Sequence, residues 1–311
     1  MLRYIVQRLL YTVPILLGVS IVCFALVHLA PGSPIDALTP DGATPEVVAQ
    51  IEAAYGLDKP IPVQYLYWLS HAVRGDLGNS ITTQRPVLDE VLPAMANSLR
   101  IAVAAIALSL VLGCAIGALS GTRLNSRLDR LLTGVSVTGI SVPPYWLGML
   151  LAVIFAVNLR WLPASGMGDG TGWESIRFMI LPALTLSIVP AGIIARSTRA
   201  AVAEAVKQDF VQALYAKGLP VSRVYLHVAK NVAPALMAVM GLQFAQLLGG
   251  SILVESVFSW PGTGFLLNTA IFTRDLPVLQ GTILVLALFF ILTNLVVDLL
   301  QTLADPRIRR A

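Results

Sequence analysis

The sequence predicts an all-α membrane protein with six transmembrane helices, both termini cytoplasmic and a long extracytoplasmic loop after the first helix. Three observations carry this reading. Of the 311 residues 56% are hydrophobic and only 12% are charged, with a mean hydropathy of +0.78, against roughly 25% charged in ordinary soluble domains. Six runs, 9–30, 101–121, 132–157, 179–197, 232–254 and 277–300, are apolar over the roughly 20 residues a helix needs to cross about 30 Å of hydrocarbon. Charge also alternates from loop to loop. The segments before 9, at 121–131, at 196–231 and after 301 hold 14 of the 21 basic residues and, counting Asp298 at the end of the last span, 5 acidic ones, a net of +9, whereas the other loops net −5. The positive-inside rule places the first set, and both termini, in the cytoplasm. The overall charge of +4 therefore reflects topology rather than a nucleic-acid surface.

Taken in order, the first segment carries Arg3 and Arg8 ahead of an apolar run from Leu9 to Ala30. At 22 residues the run exceeds the apolar core of a signal peptide, so a retained anchor is expected. Residues 1–30 form the N-terminal segment and first helix, 31–100 the outer loop region, and 101–311 a core with five further spans and an inside loop at 198–231. In the outer loop, Thr44 before Pro45 and Glu46 is a helix start and "YGLDKP" a stop, predicting short helices on the outer surface. Pro143 and Pro144, in "SVPPYW", interrupt an apolar run too long for one straight span. Either the helix breaks there, beside a pathway or partner, or a span begins just after the prolines. "SWPGTG", Ser259 to Gly264, reads as a tight turn that shapes the outer mouth of a pathway or simply joins two spans. Trp260, Pro261 and Gly262 are its central residues. Cys23 and Cys114 fall inside apolar runs, where a thiol serves as a small packing residue.

Several chemistries have no sequence support. The four lysines, Lys59, Lys207, Lys217 and Lys230, never follow a glycine, so there is no Gly-Lys loop of the kind that wraps nucleotide phosphates. His28, His71 and His227 lie on separate segments without ligands at metal spacing, and no metal site is expected. Ionisable residues in the spans, His28, Arg196 and Asp298, sit near span ends, which suits interfacial roles. An ion-coupled carrier would need an inverted repeat, which is not visible, and ionisable or unwound sites at mid-membrane. An intramembrane protease would need paired aspartates or a serine and histidine that meet, yet Asp298 and His28 belong near opposite faces. The chain lacks an energy source of its own.

The inside loop contains "DFVQALYAKGLP", residues 209–220. Val202, Val206, Phe210, Ala213 and Leu214 recur at three- and four-residue steps on one helical face, with Arg199, Glu204, Lys207, Gln208 and Gln212 on the others. Asp209 followed by Gln212 has the form of a capping box that starts a new helix. Gly218 can end it in the left-handed conformation, and Pro220 prevents continuation. The predicted helix has about eight residues, roughly 12 Å, and is too short to be stable alone. It either folds back on the membrane region or docks in a protein groove. Small Ala213 and Ala216 and the single Lys217 favour the groove, because membrane-surface helices use bulky apolar anchors and several basic residues.

Longer stretches add a resemblance. "RYIVQRLLYTVPILLGVS", "VHLAPGSP", "GLDKPIPVQYLYWL", "GDLGNS", "ISVPPYWLGMLL", "ARSTRAAVAEAVKQDFVQALYAKGL", "HVAKNVAPALMAVMGLQFAQLLGGSILVESVFSWPGTG" and "NLVVDLLQTLADPRIR" resemble, in order and over nearly the whole chain, the permease subunits of bacterial ABC importers of the dipeptide, oligopeptide and glutathione branch. That family carries Glu-Ala-Ala, three residues, Gly, nine residues and Ile-x-Leu-Pro in its inside loop. Here Gln212, Ala213, Leu214 and Gly218 take the first positions, followed by Val228, Lys230 and Asn231, with proline delayed to Pro234.

The resemblance implies that residues 209–218, Asp209, Phe210, Gln212, Ala213, Leu214, Tyr215, Ala216, Lys217 and Gly218 among them, form a coupling helix on an ATPase subunit. It also implies a second homologous permease, two ATPase subunits that bind ATP and Mg, an extracytoplasmic binding protein that meets the outer loop, and a peptide cargo. The chain itself would hold no cofactor. Glutathione, nickel chelates or another small solute remain open as cargo, since selection belongs largely to the binding protein.

Overall fold

The computed structural model describes residues 2–29, 44–55, 58–168 and 172–304. Among them the helices are α1 (Leu2–Leu29), α2 (Pro45–Tyr55), α3 (Ile61–Val73), α4 (Val87–Gly121), α5 (Arg127–Ser141), α6 (Pro144–Leu151), α7 (Gly172–Ala205), α8 (Asp209–Ala216), α9 (Val221–Gly250), α10 (Ile252–Val257), α11 (Thr263–Thr273) and α12 (Leu276–Ala304). A π-helical stretch, Ala152–Asn158, continues α6. The described residues contain no sheet, only an isolated antiparallel bridge between Asn79 and Pro86.

Four described helices are long and apolar enough to span a membrane: α4, α7, α9 and Leu276–Val297 of α12. A fifth is counted if α5 and Pro144–Asn158 form one crossing, but the pair bends by 101°. The run 132–157 is thus broken, for the reason the sequence supplies. Pro144 has no N–H to continue the ladder, and Val142 and Pro143 adopt extended backbone angles. The run 232–254 is divided too, since α9 ends at Gly250 and α10 starts at Ile252. In α1 the described apolar stretch Tyr11–Ala25 is shorter than a span. Helix α2 starts as predicted: it opens at Pro45, with the amides of Val47 and Val48 donating to the Thr44 carbonyl. Residues 30–43 lie outside the described residues, and with them the first part of the segment 31–100.

The chain divides into two compact units, one built from the chain up to Asn97 with Pro261–Leu292, the other from Ser98–Trp260 with the chain from Thr293. In the first, α1 meets α3 through polar side chains in an apolar seam. Ser20 Oγ lies 2.8 Å from Tyr65 Oη, and His28 Nε2 lies 3.0 Å from Gln64 Oε1. Phe24 stacks near His28, Tyr65 and Trp68. Both His28 nitrogens have partners, the Phe24 carbonyl and Gln64 Oε1. Elsewhere in this unit the carboxylate of Asp275 accepts from Ser80 Oγ (2.6 Å) and the Thr82 amide (3.0 Å), tying the 79–86 turn to the start of α12.

In the second unit α7 is the central helix. Gly113, Gly117 and Gly121 recur every four residues along α4 and bring its backbone onto α7: a Cβ at Gly113 would lie 2.8 Å from the Ala191 carbonyl, and one at Gly121 2.8 Å from that of Arg199. Small residues at this spacing are how helices approach closely where no hydrophobic effect drives them together. On another side Gly192 of α7 admits α5, where a Cβ would meet the Ser136 carbonyl at 2.8 Å. Pro182 and Pro190 stand inside α7 without ending it, and Ser109 of α4 donates to the Ser187 carbonyl. Side-chain hydroxyls of this kind re-satisfy backbone groups in apolar surroundings.

Candidate functional site

Helix α8 begins where α7 ends. The amides of Lys207 and Gln208 return to the carbonyls of Glu204 and Ala205, the chain turns, and Gln208 takes an extended conformation as N-cap. The predicted capping box is therefore not formed. Asp209 is the first helical residue rather than the cap, and no side chain caps the helix. Its carboxylate still stands in the first turn, where the helix dipole favours negative charge.

The other end follows the prediction. Gly218 has φ +72°, its amide donates to the Tyr215 carbonyl (2.9 Å), and the Leu219 amide donates to that of Leu214 (3.3 Å). Those two bonds are the Schellman arrangement, which requires a left-handed residue after the C-cap. Pro220 then serves as N-cap of α9.

The eight residues of α8 have two faces. Val211 is buried in a cluster with Val202 and Ala205 of α7 and Val224, Val228 and Val232 of α9, and Phe210, Leu214 and Leu219 pack against it. This apolar seam is what holds so short a helix in place. The opposite face is open: Asp209, Gln212, Ala213, Tyr215, Ala216, Lys217 and Gly218 are all exposed. Ala213, which the sequence periodicity grouped with Val202 and Phe210, belongs to the open face.

Close above α8, sequence reasoning missed a charged cluster. Arg199, two turns before the end of α7, grips Asp129 of α5 with both prongs of its guanidinium, Nε to Oδ1 at 2.6 Å and Nη2 to Oδ2 at 2.8 Å. Ser120 Oγ of α4 donates to the same carboxylate, and so does the Asn125 amide at 2.8 Å. Asp129 is 2% exposed, and its own amide donates to Ser126 Oγ, the N-cap of α5. The sequence carried one local signal, Ser126 three residues before Asp129, which marks a helix start but does not name Arg199 as partner.

The residues proposed from the prolines and the tight turn occupy varied settings. Pro143 is exposed at the break, Pro144 is half-buried as the first residue of α6, and Trp260 is 1% exposed, in the core of the second unit. Phe258, close behind it, touches α6 at Gly148 and accepts the Gly166 amide at 2.8 Å. Ser259 has φ +45°, so the turn is tight as predicted. Gly262 is the N-cap of α11, and Asn97 donates to the Pro261 carbonyl at 2.9 Å. Glu255 of α10, buried and accepting from Ser98 and Ser251, was also not singled out in the sequence. Among the described residues no three of His, Cys, Asp and Glu are grouped to hold a metal ion.

Long apolar helices around one short helix, packed on one face and open on the other, define a helical membrane protein. The chain belongs to the family of binding-protein-dependent transport system inner membrane components: that family matches residues 111–310, and its N-terminal counterpart matches residues 1–105. It is 38% identical over 333 positions to the dipeptide transport system permease protein DppB of Alkalihalophilus pseudofirmus, covering 99% of this chain and all of that one. Against the glutathione transport system permease protein GsiC of Salmonella typhimurium the identity is 40% over 310 positions, with 99% of both chains covered. A chain in the inward facing structures of the MetNI methionine ABC transporter shares the fold, with TM-score 0.58 and 16% identity over 70% of this chain and 96% of that one.

Proposed function

We propose that this chain is a translocation subunit of an ATP-driven importer for dipeptides or short oligopeptides delivered by a binding protein. The observation that carries the proposal is the two-faced α8, anchored by Val211 and Leu214 and open at Ala213, Tyr215 and Ala216. The dipeptide and glutathione relatives support the cargo class, glutathione being itself a short peptide.

In this reading six segments cross the inner membrane, with both termini in the cytoplasm. The chain pairs with a homologous permease and two ATPase subunits. ATP and Mg bind to those subunits, as this sequence has no Gly-Lys phosphate loop, and the chain makes or breaks no bond. ATP binding draws the ATPase subunits together. They carry α8 with them as a rigid body, and the spans reorient to accept cargo from outside.

The test is to purify the importer with its binding protein, identify the bound ligand by mass spectrometry, and measure its uptake into proteoliposomes. ATP-dependent uptake of a short peptide supports the proposal. Uptake driven by an ion gradient without ATPase subunits contradicts it.

A further inference from the structure

A push on α8 has a continuous route into the second unit. Val211 bears on Val202 and Ala205 at the end of α7, in the buried cluster under α8. One turn earlier on α7, Arg199 holds Asp129 with two hydrogen bonds, at 2.6 and 2.8 Å, and Asp129 lies in the first turn of α5. At its other end α5 stops at Ser141, directly before the 101° break. Between those points α5 and α7 touch where Gly139 approaches Ile188 and where Gly192 approaches Ser136 and Ile140.

The pair is built to resist rotation. A bidentate guanidinium–carboxylate contact fixes orientation as well as distance, unlike a single ammonium contact. Its carboxylate is held on further sides by Ser120 of α4 and the Asn125 amide, so Asp129 cannot turn to follow solvent. Apolar contacts between small residues allow helices to slide. This contact does not.

We propose that the Asp129–Arg199 pair is a positioning element that makes α5 move with α8, so that displacement of α8 is delivered to the break at Pro143. The proposal rests on the reading of α8 as the ATPase-docking helix. It assigns no contact with cargo to either residue.

The experiment uses the assembled importer in lipid nanodiscs, with spin labels on cysteines at Leu131 of α5 and Gln212 of α8, both exposed, after Cys23 and Cys114 are replaced. The distance is measured without nucleotide and with Mg-ATP trapped by vanadate, so no cargo is needed. With the natural pair, the distance is the same in both states. In Asp129→Asn it changes by roughly 2 Å or more on trapping, the scale of helix shifts in switching proteins. Arg199→Lys, which keeps the charge but not the fork, shows the same loss, and it decides the matter alone where Asp129→Asn does not assemble. A distance that changes with the natural pair intact, or that stays constant in the single variants, overturns the proposal. A third label, at Ala213, separates the two readings. If it is immobilised on adding the ATPase subunits, docking stands and only the pair is at issue; if it stays mobile, both fail.

Discussion

The Leu219 amide donates to the Leu214 carbonyl, 3.3 Å away, across the left-handed Gly218. Space does not constrain Gly218, since an added Cβ would meet nothing within 4 Å. Only the backbone does. Gly218→Ala is expected to cost about 1–2 kcal/mol, the penalty for an L-residue in this conformation. Gly218→Asn should cost less, because asparagine tolerates that conformation better. Thermal unfolding of the purified complex should therefore rank glycine above asparagine above alanine.

The two faces of α8 should separate by mutation. Leu214→Ala removes part of the apolar seam under the helix and should destabilise by about 2 kcal/mol, the low end for large-to-small changes because Leu214 is only half-buried. Tyr215→Ala, at a side chain 46% exposed, should leave stability within about 0.5 kcal/mol and instead weaken binding of the ATPase subunits. Unfolding curves and pull-down of the ATPase subunits, run on both variants, check the contrast.

Helix α4 should tolerate no larger residue at its glycine stripe. Gly113→Val places atoms where the Ala191 carbonyl already stands and should cost about 1–3 kcal/mol through overpacking. Gly134→Ala in α5, where a Cβ would meet nothing, should be neutral or stabilise by up to about 1 kcal/mol, as alanine is the better helix former. Melting temperatures of the two variants should move in opposite directions or differ clearly in size.

Asp275 should make the 79–86 turn acid-sensitive. Burial pushes its carboxyl up, but hydrogen bonds from Ser80 Oγ and from the amides of Thr82, Ile81 and Val278 outweigh burial and hold it below the ordinary carboxylate range. A carboxyl with a depressed folded pKa adds stability that is complete above its unfolded value, about 3.9, and is lost as pH falls through the lower folded value. The protection of the Thr82 amide, its exchange measured against the free-peptide rate at the same pH, should therefore be high near neutrality and fall below about pH 4. In Asp275→Asn this amide should exchange faster near neutrality, with the acid transition gone.

Local signals made α8 legible. Its length and its end at Gly218 follow from a glycine and a proline at the right spacing, and those effects act within a few residues. Asp209 was misplaced by one position because the turn at 206–208 lets Gln208 reach extended backbone first. Hydropathy marked the apolar runs but not the break at Pro143 as a 101° bend, since an average over a window is blind to a missing N–H. The Asp129–Arg199 pair joins residues 70 apart in the chain. It exists because glycines on α4 and α7 bring three helices close, and no local pattern encodes that meeting.

The most direct test of α8 as the docking helix is photo-cross-linking from a cysteine at Ala213, in a chain lacking Cys23 and Cys114, within an importer that still performs ATP-driven uptake. The account predicts adducts with the ATPase subunit from position 213 and none from a control cysteine at Val135 on α5, which is 55% exposed. Adducts with lipid alone from position 213, while uptake proceeds, would contradict it.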